Sequence, residues 1–171
     1  MEQLKWFERK FDFNTDPRLL ANIIMRLSFT AMRIRELTYK SNDVRFEEKP
    51  NDKWSVKQEL FHLIDLDELH IKRLNDLKSK SQHLTVADIA NQKTEQEDLS
   101  KISLVQLILQ FEKQRMDFIE KLKQFSDEEL NYKALHPRLQ QMMSAADVAY
   151  FVAEHDDHHL VHIQERIRQK I

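Results

Sequence analysis

Apolar positions recur at spacings of three and four along four long stretches of the chain, the period of helices buried on one side. Between Pro17 and Tyr39 the rhythm is set by Leu20, Ile23, Ile24, Leu27, Ala31, Ile34 and Leu37, with Asp16 placed as N-cap and Pro17 at the first helical position. A second helix is predicted after Ser55, which forms a capping box with Gln58, and it extends to about Lys78. The third starts at Ser103 with Gln106 as its box partner, carries Leu107, Ile108, Phe111, Met116, Phe118, Ile119 and Leu122, and reaches about Phe125. The fourth starts at Ser144, has Asp147 in its first turn and continues to the C-terminus. Polar connections separate them, with short helices expected at Val86–Asn91 and Ser126–Leu130 and no sheet. Four such helices bury their faces most economically as an all-α antiparallel four-helix bundle, with a long crossover, Gln82 to Ile102, between the second and third. One domain over residues 1–171 is expected.

Composition narrows the chemistry mainly by what it lacks. At 41% hydrophobic and 171 residues the chain can build a sizeable core. It contains no glycine, so the P-loop, the dinucleotide fingerprint and the strained nucleophile elbow, which need glycine backbone, are excluded. It contains no cysteine either, which leaves histidine and carboxylate as metal ligands. With 27 basic and 29 acidic residues and no basic stripe interleaved with aromatics, nucleic acid is not an expected partner. The opening MEQLKWFERKFDF is charged where a signal peptide is apolar, and no stretch approaches the roughly 18 apolar residues that span a bilayer. A cytoplasmic protein without membrane association is expected.

Eight histidines are present, and their helical phase sorts them. At about 100° per residue, Val148, Val152 and Ile163 define the core face of the last helix, and His159 falls between the two valines in direction. His155 lies about 40° away and one turn earlier, so both point into the bundle, whereas His158 is turned by about 100° and is expected to be peripheral. His158 with His162 forms a second, weaker pair. On the second helix His62 lies opposite the main apolar stripe of Val56, Leu60, Leu63, Ile64, Ile71 and Leu74. It shares its side with Leu66, Leu69 and Arg73, which predicts a second buried or cleft-facing stripe. Two inward imidazoles one turn apart and a third on a neighbouring helix can hold a divalent metal and leave positions open.

Several short motifs then occur in a fixed order: Trp6, Arg9, Lys10, Phe11 and Phe13; Trp54, Ser55, Gln58, His62 and Leu63; Arg73-Leu74; Ala87-Asp88 and Asn91, Lys93, Thr94; His136-Pro137-Arg138-Leu139; and Tyr150 through Leu160. With these the chain resembles the DinB-like four-helix-bundle superfamily of metal-binding proteins over almost its whole length. The resemblance implies a metal site of His62, His155 and His159, a zinc or nickel ion, a homodimer, and a small-molecule substrate. It also implies either hydrolysis or transfer to a small thiol, which must be a cosubstrate because the chain has no cysteine. The alternative is a non-catalytic metal-binding or dimerisation protein, for which the resemblance implies a stress-related role.

Two departures from the family pattern stand out. Phe61 replaces a frequent glycine before the second-helix histidine, where its bulk is expected to narrow or redirect the cleft, and Leu139-Gln140-Gln141-Met142 replaces a loop often containing glycine or proline. Asp156 and Asp65 are the carboxylates placed to orient the metal histidines, although both also suit solvated helix charges. Arg73 is placed for an anionic substrate group or, with more weight, a salt bridge. Trp6 and Trp54 are expected to close bundle ends. No general base is identified, so the catalytic residues are left unassigned.

Overall fold

The computed structural model describes residues 3–39, 46–49 and 53–168. After a one-turn 3-10 segment at Pro17–Leu19, helix α1 spans Leu20–Ser28 and α2 spans Thr30–Thr38, and the two together make the first bundle helix. Helix α3 spans Val56–Lys78, the short α4 Gln92–Gln96, α5 Leu104–Lys123, the short α6 Asp127–Leu130, and α7 Ala145–Arg168. The boundaries follow the expected caps. Asp16 accepts from the Arg18 N–H, and Ser55–Gln58, Ser103–Gln106 and Ser126–Glu129 all form reciprocal capping boxes. Ser144 and Asp147 do the same at the start of α7.

The expected first helix is interrupted at Phe29, where the backbone turns to φ −93°, ψ 0°. One residue earlier the Ser28 hydroxyl donates back to the Ile24 carbonyl at 2.7 Å, a competition with the helical ladder that bends helices. The helix expected at Val86–Asn91 is absent, and α4 begins immediately after that segment. Asp88 is the reason: its carboxylate accepts from the N–H groups of Ala90 and Gln92, making a turn, and Asn91 takes a left-handed φ of 51°.

The long crossover sets the direction of the helices. Asp67, Asn75 and Lys78 of α3 meet Arg115, Lys121 and Gln124 in ascending order, so α3 and the α5 region run parallel. Thr15, Thr30 and Arg33 likewise meet Asp147, Asp156 and Asp157 in ascending order, so the first bundle helix runs parallel to α7. The antiparallel neighbours are α3 with α7, where Glu59 meets His159 and Trp54 meets Arg166, and the first helix with α5. The first bundle helix therefore lies diagonally opposite α3, and α5 diagonally opposite α7, while α3 and α7, which carry the candidate histidines, are side by side.

The core is divided in two. Leu27, Leu74, Phe118 and Val148 belong to one apolar cluster, and Ile34, Leu63, Phe111 and Ile163 to the other. Between them each bundle helix contributes one buried polar residue: Thr30, Asp67, Arg115 and Asp156. Arg115 donates from Nε and Nη2 to Asp67 at 2.8 and 3.0 Å and from Nη2 to Asp156 at 2.9 Å, and the Thr30 hydroxyl donates to Asp156 at 2.7 Å. Such a layer adds little net stability over apolar packing, but it fixes the register in which four helices meet.

The connection into α7 contains two strands that the hydrophobic pattern did not predict. β1, Ala134–His136, pairs antiparallel with β2, Gln141–Met143, in the register Ala134 to Met143, Leu135 to Met142 and His136 to Gln141. Three residues are too few to display a period of two. Gln140 takes a left-handed φ of 53° in the turn, a conformation that glycine adopts most cheaply.

Candidate metal centre

Antiparallel packing of α3 on α7 brings His62 against His155 and His159, and all three side chains are buried. Their ring centroids are 4.3 Å apart for His155–His159, 4.9 Å for His62–His159 and 5.4 Å for His62–His155. One ring nitrogen from each lies within 4.8 Å of the other two. The Nε2 atoms of His155 and His159 stand 3.1 Å apart. Two imidazole nitrogens on one zinc-sized ion, each about 2.0–2.1 Å from it, are separated by roughly 2.9–3.4 Å for bond angles between octahedral and tetrahedral, so this spacing fits a shared ion.

Electrostatics suit the same use, since a ligating imidazole must be neutral. Burial, then repulsion from the neighbouring His159, lowers the pKa of His62 to about 3. His155 is pushed well below the ordinary value by burial, then by His159 and His62. Glu59, one turn before His62 and itself buried, accepts from Nδ1 of His159 at 2.5 Å and lies 3.2 Å from Nδ1 of His162. Burial alone would raise the Glu59 pKa, but these histidine contacts hold it at about 2. With Nδ1 engaged by the carboxylate, the His159 Nε2 lone pair faces His155 and His62, the arrangement usual behind a metal-bound histidine. The residues present therefore fit a divalent ion.

The cluster lines a cleft of about 820 Å³. Trp54 lies 4.8 Å from His62 and stacks on His159 at 6.2 Å, and Trp6 meets His155 edge-on at 4.6 Å, so both tryptophans line the centre as well as packing near helix ends. Trp6 reaches it because the N-terminal segment lies on α7, where Arg9 pairs with Glu154. Leu66 and Leu69, the second stripe predicted for α3, form part of the cleft wall. Phe61 instead joins the apolar core, turned by about 100° from His62, and does not narrow the opening.

Other expected residues fall elsewhere. Asp65 pairs with Lys93 at 2.5 Å on the surface, and Asp156 is committed to Arg115 and Thr30, so neither orients a histidine. Glu59 takes that part, legible only as a carboxylate three residues before His62. His158 is buried rather than peripheral, because the N-terminal segment covers it; Trp6 sits 5.5 Å away. The His158–His162 pair has ring centroids 4.4 Å apart. The second group of possible ligands among the described residues is Glu59, His159 and His162, which would divert the carboxylate that orients His159. Arg73 is buried at the cleft wall and forms no salt bridge among the described residues.

Among solved structures, the chain is similar to YfiT from Bacillus subtilis, described as a probable metal-dependent hydrolase with an unusual four-helix bundle topology. The TM-score is 0.75 at 16% identity, covering 94% of this chain and 92% of that one, which shows a shared fold. No curated protein matches the sequence. The DinB superfamily matches over residues 25–163, a span that contains all three histidines, and the chain belongs to that superfamily.

Proposed function

We propose that the protein is a divalent-metal-dependent enzyme acting on a small molecule, with the ion held by His62, His155 and His159. The observation that carries this reading is the convergence of three buried imidazoles, two of them with strongly depressed pKa values, on one wall of a large cleft. A bound ion of this kind supplies Lewis acidity that acidifies a water or a thiol. Zinc and nickel both suit an all-imidazole donor set.

The chain's own residues supply orientation and exclusion. Glu59 fixes the His159 ring through Nδ1, Trp6 and Trp54 shield the imidazoles, and Leu66 and Leu69 offer an apolar wall to the body of a substrate. Hydrolysis is the first reading, in keeping with the description of YfiT. Transfer to a small thiol is the second, and it is favoured by a cleft of about 820 Å³, at the large end for a single small ligand. The thiol would come from a cosubstrate, since the chain has no cysteine.

We place the protein in the cytoplasm; among the described residues no helix is long and apolar enough to cross a membrane. We also propose a homodimer, formed through the exposed Met25, Phe29 and Met32 of the first bundle helix and Leu109 and Met116 of α5. The test of function is turnover by untagged, metal-analysed protein on simple esters and amides, and on electrophiles offered with small thiols. Metal-dependent turnover of either class supports an enzyme. Stoichiometric metal with no turnover across the panel would favour a non-catalytic metal-binding module.

A further inference from the structure

Eleven residues after His62, on the same face of α3, stands Arg73. At 1.5 Å per residue the two are about 16 Å apart along the helix, with Leu66 and Leu69 between them on the same stripe. All four line the cleft, which therefore runs along α3 from the histidine cluster past an apolar stretch to an arginine. Arg138, on the turn between β1 and β2, lines that same end and rests on the Phe7 ring at 5.0 Å.

These two guanidiniums are unusual in this molecule. Arg9, Arg26, Arg33, Arg35 and Arg115 each meet a carboxylate. Arg73 is 3% exposed, yet its hydrogen bond among the described residues is a single one from Nε to the Thr85 carbonyl at 3.0 Å. The side chain lines the cleft. The carboxylates nearby are occupied: Asp76 Oδ2 accepts from the N–H and hydroxyl of Thr85, and Asp88 caps Ala90 and Gln92. Burial, then repulsion from Arg138, lowers the Arg73 pKa to about 10 against a smaller raising effect of Asp76, whose Oδ2 is engaged by Thr85. Arg166, at the histidine end, differs: its Nε donates to the Trp54 carbonyl and its Nη1 is sealed.

We propose that Arg73 and Arg138 form an anion-binding subsite at the far end of the cleft, and that the substrate is an elongated molecule carrying a carboxylate or phosphate there. A buried guanidinium without a partner is costly, and a bound oxyanion offsets that cost with charge-assisted, two-pronged hydrogen bonds. The apolar stretch accepts the body of the molecule, which puts its other end at the histidines. This orientation rests on the histidine cluster being the reactive end; the anion subsite itself does not.

The test is calorimetric titration of the purified protein, with metal content measured in parallel, using hexanoate, hexyl phosphate and neutral hexanol. Both anions are expected to bind about tenfold or more tighter than hexanol, a margin set by one or two charge-assisted hydrogen bonds. The tighter of the two identifies the natural group. Arg73→Met should abolish the preference with metal content unchanged, and Arg73→Lys should retain part of it. If Arg73→Met does not fold, the half-exposed Arg138→Met should still weaken the preference. Anion preference in metal-free protein supports the subsite even where the metal assignment fails. Equal binding of hexanol and the anions, or full preference in the folded Met variants, overturns it.

Discussion

Replacing Arg115 by methionine removes the cation of a layer that would then hold two buried carboxylates and a hydroxyl. Arg115 donates twice to Asp67 and also binds Asp156, and all three side chains are nearly inaccessible. Removing one partner of a buried ion pair costs about 3–5 kcal/mol. With an unfolding entropy of about 0.36 kcal/mol/K for a chain of this length, the melting temperature should fall by about 8–14 °C. The loss should also depend on pH. Burial raises the Asp67 pKa to about 6 even beside Arg115, and without that cation it must rise further. A carboxyl whose pKa is higher folded than unfolded binds more protons in the folded state, so stability is retained at low pH and lost as pH rises through the folded pKa. The Arg115→Met deficit should therefore be smaller at pH 5 than at pH 8 in urea titrations followed by circular dichroism. Changing Asp67 and Asp156 to leucine as well should recover much of the loss, because no buried charge then remains unpaired. A deficit below about 1 kcal/mol at pH 8, or one that does not vary with pH, would refute this reasoning.

Two further outcomes follow from the histidine cluster. Glu59→Gln keeps the side-chain shape but weakens the hold on His159 Nδ1, and metal affinity should drop about 10–100-fold in competition with a chromogenic chelator; unchanged affinity would remove Glu59 from the site. In metal-free protein His62, His70 and His155 are held neutral by burial, so the unfolded chain binds more protons below about pH 6.5 and stability falls as pH drops. Each contributes at most about 1.4 kcal/mol per pH unit, and His70→Phe should reduce the acid slope by about one such step; identical slopes between pH 6.5 and 5 would contradict the assigned burial.

Much of this was legible because it is local. Ser55 and Ser103 announce helix starts through neighbours three residues away, and the phase of His155 and His159 against Val148 and Val152 follows from a fixed turn per residue. The second stripe of Leu66, Leu69 and Arg73 was legible for the same reason. What sequence reading missed depends on partners distant in the chain. Asp156 points inward as expected, but Arg115, 41 residues away, claims it. Glu59 resembles an ordinary first-turn acid, favoured by the helix dipole, until α7 places His159 against it. Asp88 and Asn91 make a turn through side-chain bonding and left-handed backbone, which hydrophobic periodicity does not register.

The central claim is a divalent ion on His62, His155 and His159, and metal stoichiometry of single alanine variants tests it most directly. Wild-type protein, purified without a histidine tag, should carry about one zinc or nickel ion per chain. His62→Ala, His155→Ala and His159→Ala should each lose most of it, whereas His83→Ala, at an exposed crossover position, should retain it. Full occupancy in all three cluster variants would contradict the account, and retention in His62→Ala with loss in His162→Ala would move the ion to Glu59, His159 and His162.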